Sequence, residues 1–360
     1  MKYNFTIVLI IWTVLLYGQG FSKKTYSVNQ ISNIIESSLA DQIINKYKTQ
    51  AKSIENYLPK GYSKRGNIDY TIYLQEAINN SKIILMPNFP ILINDRGLIL
   101  NDGQILIFQP NSKLILKPSS KEGYSMIAIN NKSNIKIVNA NLKGDRESHL
   151  GKTGQWGFGI SIKGGEDITI VGGQFQDMWG DGIYIGGTKS KVSSKILISN
   201  NFINNSRRNG ISITSGKSIT IEKSTISNSN GHSPESGIDI EPNNISDIIE
   251  DINIKNLITS NNKWSGILVV LEKFKGKQLK DVSLNITNHT DNGSDSGIAI
   301  HGYRNDKTHK NLHGTIKVSS SKYNNNKRQP IYFYRSNFGN LKIDSDNSNL
   351  KSEFQKRRVK

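Results

Sequence analysis

Gly182-Ile183-Tyr184-Ile185, Gly210-Ile211-Ser212-Ile213 and Gly237-Ile238-Asp239-Ile240 are copies of one four-residue unit, and that unit decides the fold. It also stands at Gly159-Ile160-Ser161-Ile162, Gly266-Ile267-Leu268-Val269 and Gly297-Ile298-Ala299-Ile300. Successive glycines lie 23, 28, 27, 29 and 31 residues apart. A second alternating burst follows the first five units, at Ile168/Ile170, Ile196/Ile198, Ile219/Ile221, Ile252/Ile254 and Val282/Leu284. In the first three, a third apolar position follows at Phe175, Ile203 and Ile226. Short strands recurring at such a period predict a solenoid. Alternation within the unit turns both isoleucines inward and the residue between them outward.

Coils stacked at ~4.8 Å would lay Ile on Ile in columns and pair the backbone from coil to coil. The expected fold is an all-β solenoid, a single-stranded right-handed parallel β-helix over residues 125–345. No helical period survives beyond residue 80, which excludes a helical solenoid. Asn200-Asn201, Asn204-Asn205 and Asn261-Asn262 suit the corners, because Asn tolerates the left-handed conformation. Upstream, apolar spacing predicts a helix over 28–58 within an extension spanning 23–66. A second helix is expected over 69–79, with Asp69 at its start. It opens a segment of cap and first strands, 67–124, and would cover the exposed edge of the stack. Residues 346–360 read as a basic tail ending Lys356-Arg357-Arg358-Val359-Lys360.

The chain has no cysteine and 6 histidines, which excludes a disulfide scaffold, thiolate metal sites and a cysteine nucleophile. Its net charge is +18, and an excess of that sign suits a polyanionic partner. Lys2, an apolar run from Phe5 to Tyr17, then Gly18, Gly20 and Ser22 read as a signal peptide over 1–22. The run is short of the roughly 20 residues a membrane span needs. A secreted or periplasmic protein is therefore expected, monomeric and without a span in the mature chain. Export favours an acidic polysaccharide over nucleic acid as the polyanion.

Several stretches resemble secreted bacterial β-helix proteins of the pectate-lyase-like superfamily. Leu74-Gln75-Glu76-Ala77-Ile78 followed by Ile84-Leu85-Met86-Pro87 resembles the entry segment of such folds. Trp156-Gly157-Phe158-Gly159-Ile160, Trp179-Gly180-Asp181-Gly182-Ile183 and Arg207-Arg208-Asn209-Gly210-Ile211 carry the likeness onward. Asp181-Gly182-Ile183 is similar to the first catalytic block of polygalacturonases, whose Asp pair and Arg-Ile-Lys block are absent here. Arg208-Asn209-Gly210-Ile211 is similar to the Arg-His-Gly-Phe of mannuronan epimerases, with Asn209 in place of the histidine. The resemblance implies a β-helix with a carbohydrate ligand. It leaves lyase, hydrolase, epimerase and non-catalytic binder open.

A solenoid needs only inward isoleucines and corner Gly or Asn, so departures from that minimum mark candidate chemistry. If the units stack, Ser161, Tyr184, Ser212 and Asp239 form one outward column, and Lys163, Gly186, Thr214 and Glu241 the next. Asp181, Asp239 and Glu241 are the candidate acid–base groups, with Tyr184 or His232 relaying a proton. Paired carboxylates of this kind can also bind Ca²⁺. Arg207 and Arg208 are candidates for gripping a uronate carboxylate, and Trp156 and Trp179 for stacking on a sugar ring. Asp145, Arg146 and Glu235 complete the expected substrate-binding set. The reading is an exported carbohydrate-active protein, a lyase, glycoside hydrolase or epimerase on an acidic polysaccharide. Its rival is a non-catalytic glycan-binding or cell-surface structural protein. A binder would pair these carboxylates off in salt bridges.

Overall fold

The computed structural model describes residues 38–302, 311–335 and 338–346. The expected leader at 1–22, the start of the 28–58 helix and all but Asp346 of the basic tail lie outside those residues. Among the described residues the chain winds through three parallel sheets of 11, 9 and 9 strands, each coil adding one strand to each sheet. This is a right-handed parallel β-helix of about 9 turns.

Register follows the isoleucines. Ile160, Ile183, Ile211, Ile238, Ile267 and Ile298 pair in succession down the sheet that carries the Gly-Ile units. All six are fully buried. The glycine before each isoleucine is required by close packing. A Cβ on Gly182 would stand 2.6 Å from Ile203 Cγ2, and one on Gly210 would stand 2.1 Å from Ile226 Cγ2. The corner therefore turns its glycine toward the packed interior, and alternation breaks there. Asp181 and Asn209, one position earlier, come out on the external side. Asn200, Asn205, Asn228 and Asn261 sit at φ between 52° and 59°, as corner residues should. Asn201 joins coils by accepting from Gly173 N at 2.8 Å and donating to the Ile170 carbonyl at 3.1 Å.

The N-terminal helix ends earlier than expected, at Tyr47 rather than 58. α1 covers Ser38–Tyr47, then the chain tightens into 3-10 turns, and Lys52–Ser53 adds a strand beside Ile84–Leu85. Ala51, Ile54, Tyr57 and Leu58 continue the helical spacing past Tyr47, yet the segment folds into 3-10 turns that bury Ile54 in the core of the solenoid. α1 lays Ala40 and Ile43 on an apolar outer patch formed by Ile105, Ile107, Val138 and Val171. α2, Thr71–Asn80, buries Leu74, Ala77 and Ile78 over the first coils. The cap position of α2 is Tyr70, one residue later than expected, and Asp69 just before it accepts from the Thr71 N–H at 3.0 Å.

One inward column changes character along the axis. Leu142, Phe175, Ile203 and Ile226 pair in turn and are followed by Thr259, Asp291 and Tyr323. Buried His289 joins them: its Nε2 lies 2.7 Å from Thr259 Oγ1, and its Nδ1 lies 3.4 Å from the Tyr323 hydroxyl. Thr259 Oγ1 donates to Asp291 at 2.7 Å, and Ser294 and Asn326 also donate to that carboxylate. The network is self-consistent with neutral His289 carrying its proton on Nε2.

Burial raises the Asp291 pKa to about 6 and lowers that of His289 to about 3. A carboxyl raised in the fold stabilises below its unfolded value and loses that contribution as pH rises toward 6. A histidine lowered in the fold contributes the opposite slope, gaining as pH rises from 3. The two slopes oppose one another between about pH 4 and 6. Asp291→Asn removes only the falling one. Chemical denaturation should show stability of the variant relative to wild type increasing by up to about 3 kcal/mol across that window. A difference that does not change with pH would refute this titration.

Candidate functional site

The expected outward column exists. Ser161 pairs with Tyr184, Tyr184 with Ser212, and Ser212 with Asp239. Residues 27 to 30 positions apart therefore meet side by side around Arg208. Its Nη1 donates to Asp181 Oδ2 at 3.0 Å and to Ser212 Oγ at 3.2 Å. Its Nη2 lies 3.6 Å from Asp239 Oδ2. Asn209 Nδ2 donates to the same Asp239 oxygen at 3.0 Å, and the Asn209 N–H donates to Asp181 at 3.0 Å.

Asp181 and Asp239 are buried, and Arg208 lies over them with its side chain 16% exposed. Burial drives the Asp181 carboxyl up, while Arg208, Ser212 and the Asn209 N–H pull it back. Asp239 is pushed well up by burial, with the charge of Glu241 adding and Arg208 opposing. Asp239 Oδ1 is buried and has no hydrogen-bond partner among the described residues. Burial costs Arg208 hydration, but Asp181, Asp239 and Glu241 outweigh that and hold the guanidinium more firmly charged.

Glu241 differs from these two. It is half-buried and forms no ion pair within 4.0 Å among the described residues. Burial raises its pKa, against the pull of Arg208 and Lys273. Tyr184 lies two coils before Glu241, its hydroxyl 2.9 Å from Thr214 Oγ1 and its ring stacked on Phe158 at 4.8 Å between centroids. Burial raises the phenol pKa. Lys163, exposed, reaches over the Tyr184 ring at 5.6 Å. Lys273, also exposed, bears electrostatically on Glu241. These lysines were not among the expected binding groups. Lys163 was marked only by its place in the second outward column, and Lys273 sits in a 3-10 turn that the repeat does not predict.

The remaining expected site residues are held in other ways. Trp179 is buried, with His149 stacked on it at 3.8 Å and the Arg207 guanidinium 3.7 Å from its ring centre, so no sugar meets its face. Arg207 also donates to the Gly154 carbonyl at 2.9 Å. Asp145 is a buried acceptor for Tyr124 Oη, for Ser119 N at 2.9 Å and for His149 Nδ1 at 2.8 Å. Arg146 ties the Asn205 carbonyl to Asn230 Oδ1 at 3.1 and 2.8 Å. Glu235 accepts from Gly231 N at 2.6 Å and Lys263 Nζ at 2.8 Å, fixing the 229–236 connection. His232 bonds its neighbour, the Ser233 carbonyl, at 3.0 Å. Among the described residues neither ring nitrogen bonds Tyr184 or the three carboxylates. Of the expected substrate set, Trp179, Asp145, Arg146, Arg207 and Glu235 thus have protein groups as their partners. Trp156 alone of the two tryptophans is open, at 50% exposure. Among the described residues no group of three His, Asp or Glu side chains is disposed to hold a metal ion. Between Asp181 and Asp239 the cation is Arg208.

No known protein-family profile matches the chain. It is 31% identical over 237 residues to the uncharacterized protein YclG of Bacillus subtilis, a match covering 62% of this chain and 37% of that one. The chain spans little more than a third of the length of the curated relatives it matches. Among solved structures, the A-module of the Azotobacter vinelandii mannuronan C-5 epimerase AlgE6 aligns over 82% of this chain and 99% of its own, at 12% identity and TM-score 0.55. Tailspike protein gp49 of Acinetobacter baumannii bacteriophage Fri1, a capsular polysaccharide depolymerase, aligns over 81% of this chain and 55% of its own, at 15% identity and TM-score 0.51. The chain shares their fold.

Proposed function

We propose that this protein is an exported carbohydrate-active β-helix protein that works on an acidic, uronate-containing polysaccharide, with Glu241 as its acid–base group. The observation that carries this is Glu241 itself. It forms no ion pair among the described residues, its pKa is raised, and it stands two coils beyond Tyr184, with Lys273 bearing on it, on a platform locked by Asp181, Arg208 and Asp239. A carboxyl raised by burial holds its proton to higher pH than an exposed one and can deliver it to a glycosidic oxygen or exchange it at a sugar carbon. Lys163 and Lys273 supply positive charge for the uronate carboxylates, and exposed Trp156 supplies a flat face. Arg208 is a positioning residue in this reading. The net charge of +18 and the leader expected at 1–22 agree with a polyanion met outside the cell. Acidic-sugar chemistry also agrees with what the epimerase neighbour acts on.

A second reading, a non-catalytic glycan binder, is favoured by one observation: Asp181 and Asp239 are both paired with Arg208. A panel of polygalacturonate, alginate and other uronans separates the two. The expected result is one uronan yielding new reducing ends, the ultraviolet absorbance of an unsaturated uronide or a changed epimer ratio. Binding without any of these products would favour the second reading. Turnover of neutral glucans alone would overturn the first.

A further inference from the structure

Beyond Glu241 the outward columns continue into a cluster of rings. Leu268 and Ala299 extend the Asp239 column to Tyr332, and Val270 and His301 extend the Glu241 column to Tyr334. His301 thus lies two coils past Glu241, about 10 Å along the axis. Trp264, Tyr332 and Tyr334 surround it at 6.3, 6.3 and 5.1 Å between centroids. His301 itself is half-buried. Burial, with Arg335 adding, holds its pKa down to about 4, so near neutral pH it is one more uncharged ring.

Two guanidinium groups frame the rings. Arg328 lies over Trp264 at 4.9 Å and over Tyr332 at 5.0 Å. Arg335 lies over Tyr334 at 4.9 Å. Asp295 binds Arg328 through Nε at 3.0 Å, leaving both terminal nitrogens without a partner among the described residues. Arg335 is engaged by Glu272 at 2.6 Å, and Glu272 also bears on Glu241, so the two clusters share one electrostatic neighbourhood. Tyr334 is 42% exposed and the Arg328 side chain 46%, so the cluster offers both an aromatic edge and a planar cation to solvent. An aromatic face takes the C–H face of a pyranose, and a planar cation takes its carboxylate.

We infer that Trp264, His301, Tyr332, Tyr334, Arg328 and Arg335 form a second sugar-binding site, which holds a further uronate stretch of the chain engaged at Glu241. The inference rests on the acidic-polysaccharide reading above. It gives the protein a length preference: a short oligomer fills the Glu241 region alone, and a longer one reaches both.

The test uses the full chain carrying Glu241→Gln, titrated with a size series of oligogalacturonates and oligomannuronates. Long oligomers should bind about tenfold or more tighter than short ones, the equivalent of one further good contact. Tyr334→Ala and Arg328→Gln, each confirmed folded by circular dichroism, should collapse that long-to-short ratio toward one. Arg328→Gln replaces an exposed group and keeps the test alive if Tyr334→Ala folds poorly. An unchanged ratio in both variants, with short and long oligomers still bound, overturns this inference and leaves the Glu241 reading standing. No binding of any uronate oligomer overturns both.

Discussion

Arg208→Ala should destabilise the protein by about 3–5 kcal/mol, among the largest effects of any single side chain on this surface. Among the described residues the arginine is the cation bonded to Asp181 and Asp239, and both carboxyls are buried. Removing it leaves those groups in a low-dielectric setting with only Ser212 and Asn209 as donors. The loss of the pair costs far more than its formation gains, because a buried charge without its partner bears the full desolvation penalty. Urea titration should show a lower midpoint with an unchanged slope. Adding Asp239→Asn to Arg208→Ala should recover part of the loss, since the amide needs no counter-charge. A stability within 1 kcal/mol of wild type would mean that the three groups are not packed as described.

Glu241→Gln should lower turnover of the uronan found in the panel by roughly 10²–10⁴-fold, the usual worth of a positioned general acid or base. Glutamine keeps the shape and offers no titrating proton. Folding should be little affected, because Glu241 is half-buried and makes no ion pair within 4.0 Å among the described residues. In the wild type, a proton donor whose pKa burial has raised is lost as pH climbs through that raised value, so the rate should fall on the alkaline side. Initial rates across pH check both statements. A rate that survives the substitution removes Glu241 from the chemistry.

The coils were legible in the sequence because periodicity alone sets register. Once the glycine–isoleucine units stack, Tyr184, Ser212 and Asp239 must share a column, and they do. Asn201 and Asn262 were legible as corner residues for the same reason. Less legible was the side to which a residue before the glycine turns. Asp181 is directed outward by the fit of Gly182 against Ile203, a contact between different sheets that no local pattern reveals. The polar turn of the third inward column also escaped the apolar pattern. The register carries Ile226 to Thr259 and Asp291, which no hydrophobic scan selects. Trp179, Asp145 and Arg146 carried residue types suited to sugars. What they do depends on His149 and Asn230, which reach them from connections of irregular length. Sequence spacing brought the right coils together and could not say which polar groups would be consumed by one another.

The account stands most directly on where an acidic sugar chain sits. A crystal structure of the Glu241→Gln protein with a uronate oligomer bound decides this. The sugar is predicted on the face bearing Tyr184 and residue 241, with its carboxylates near Lys163 or Lys273 and a linkage oxygen or ring carbon within hydrogen-bond reach of Gln at 241. An oligomer lodged on either of the other two sheets, with this face bare, would contradict it.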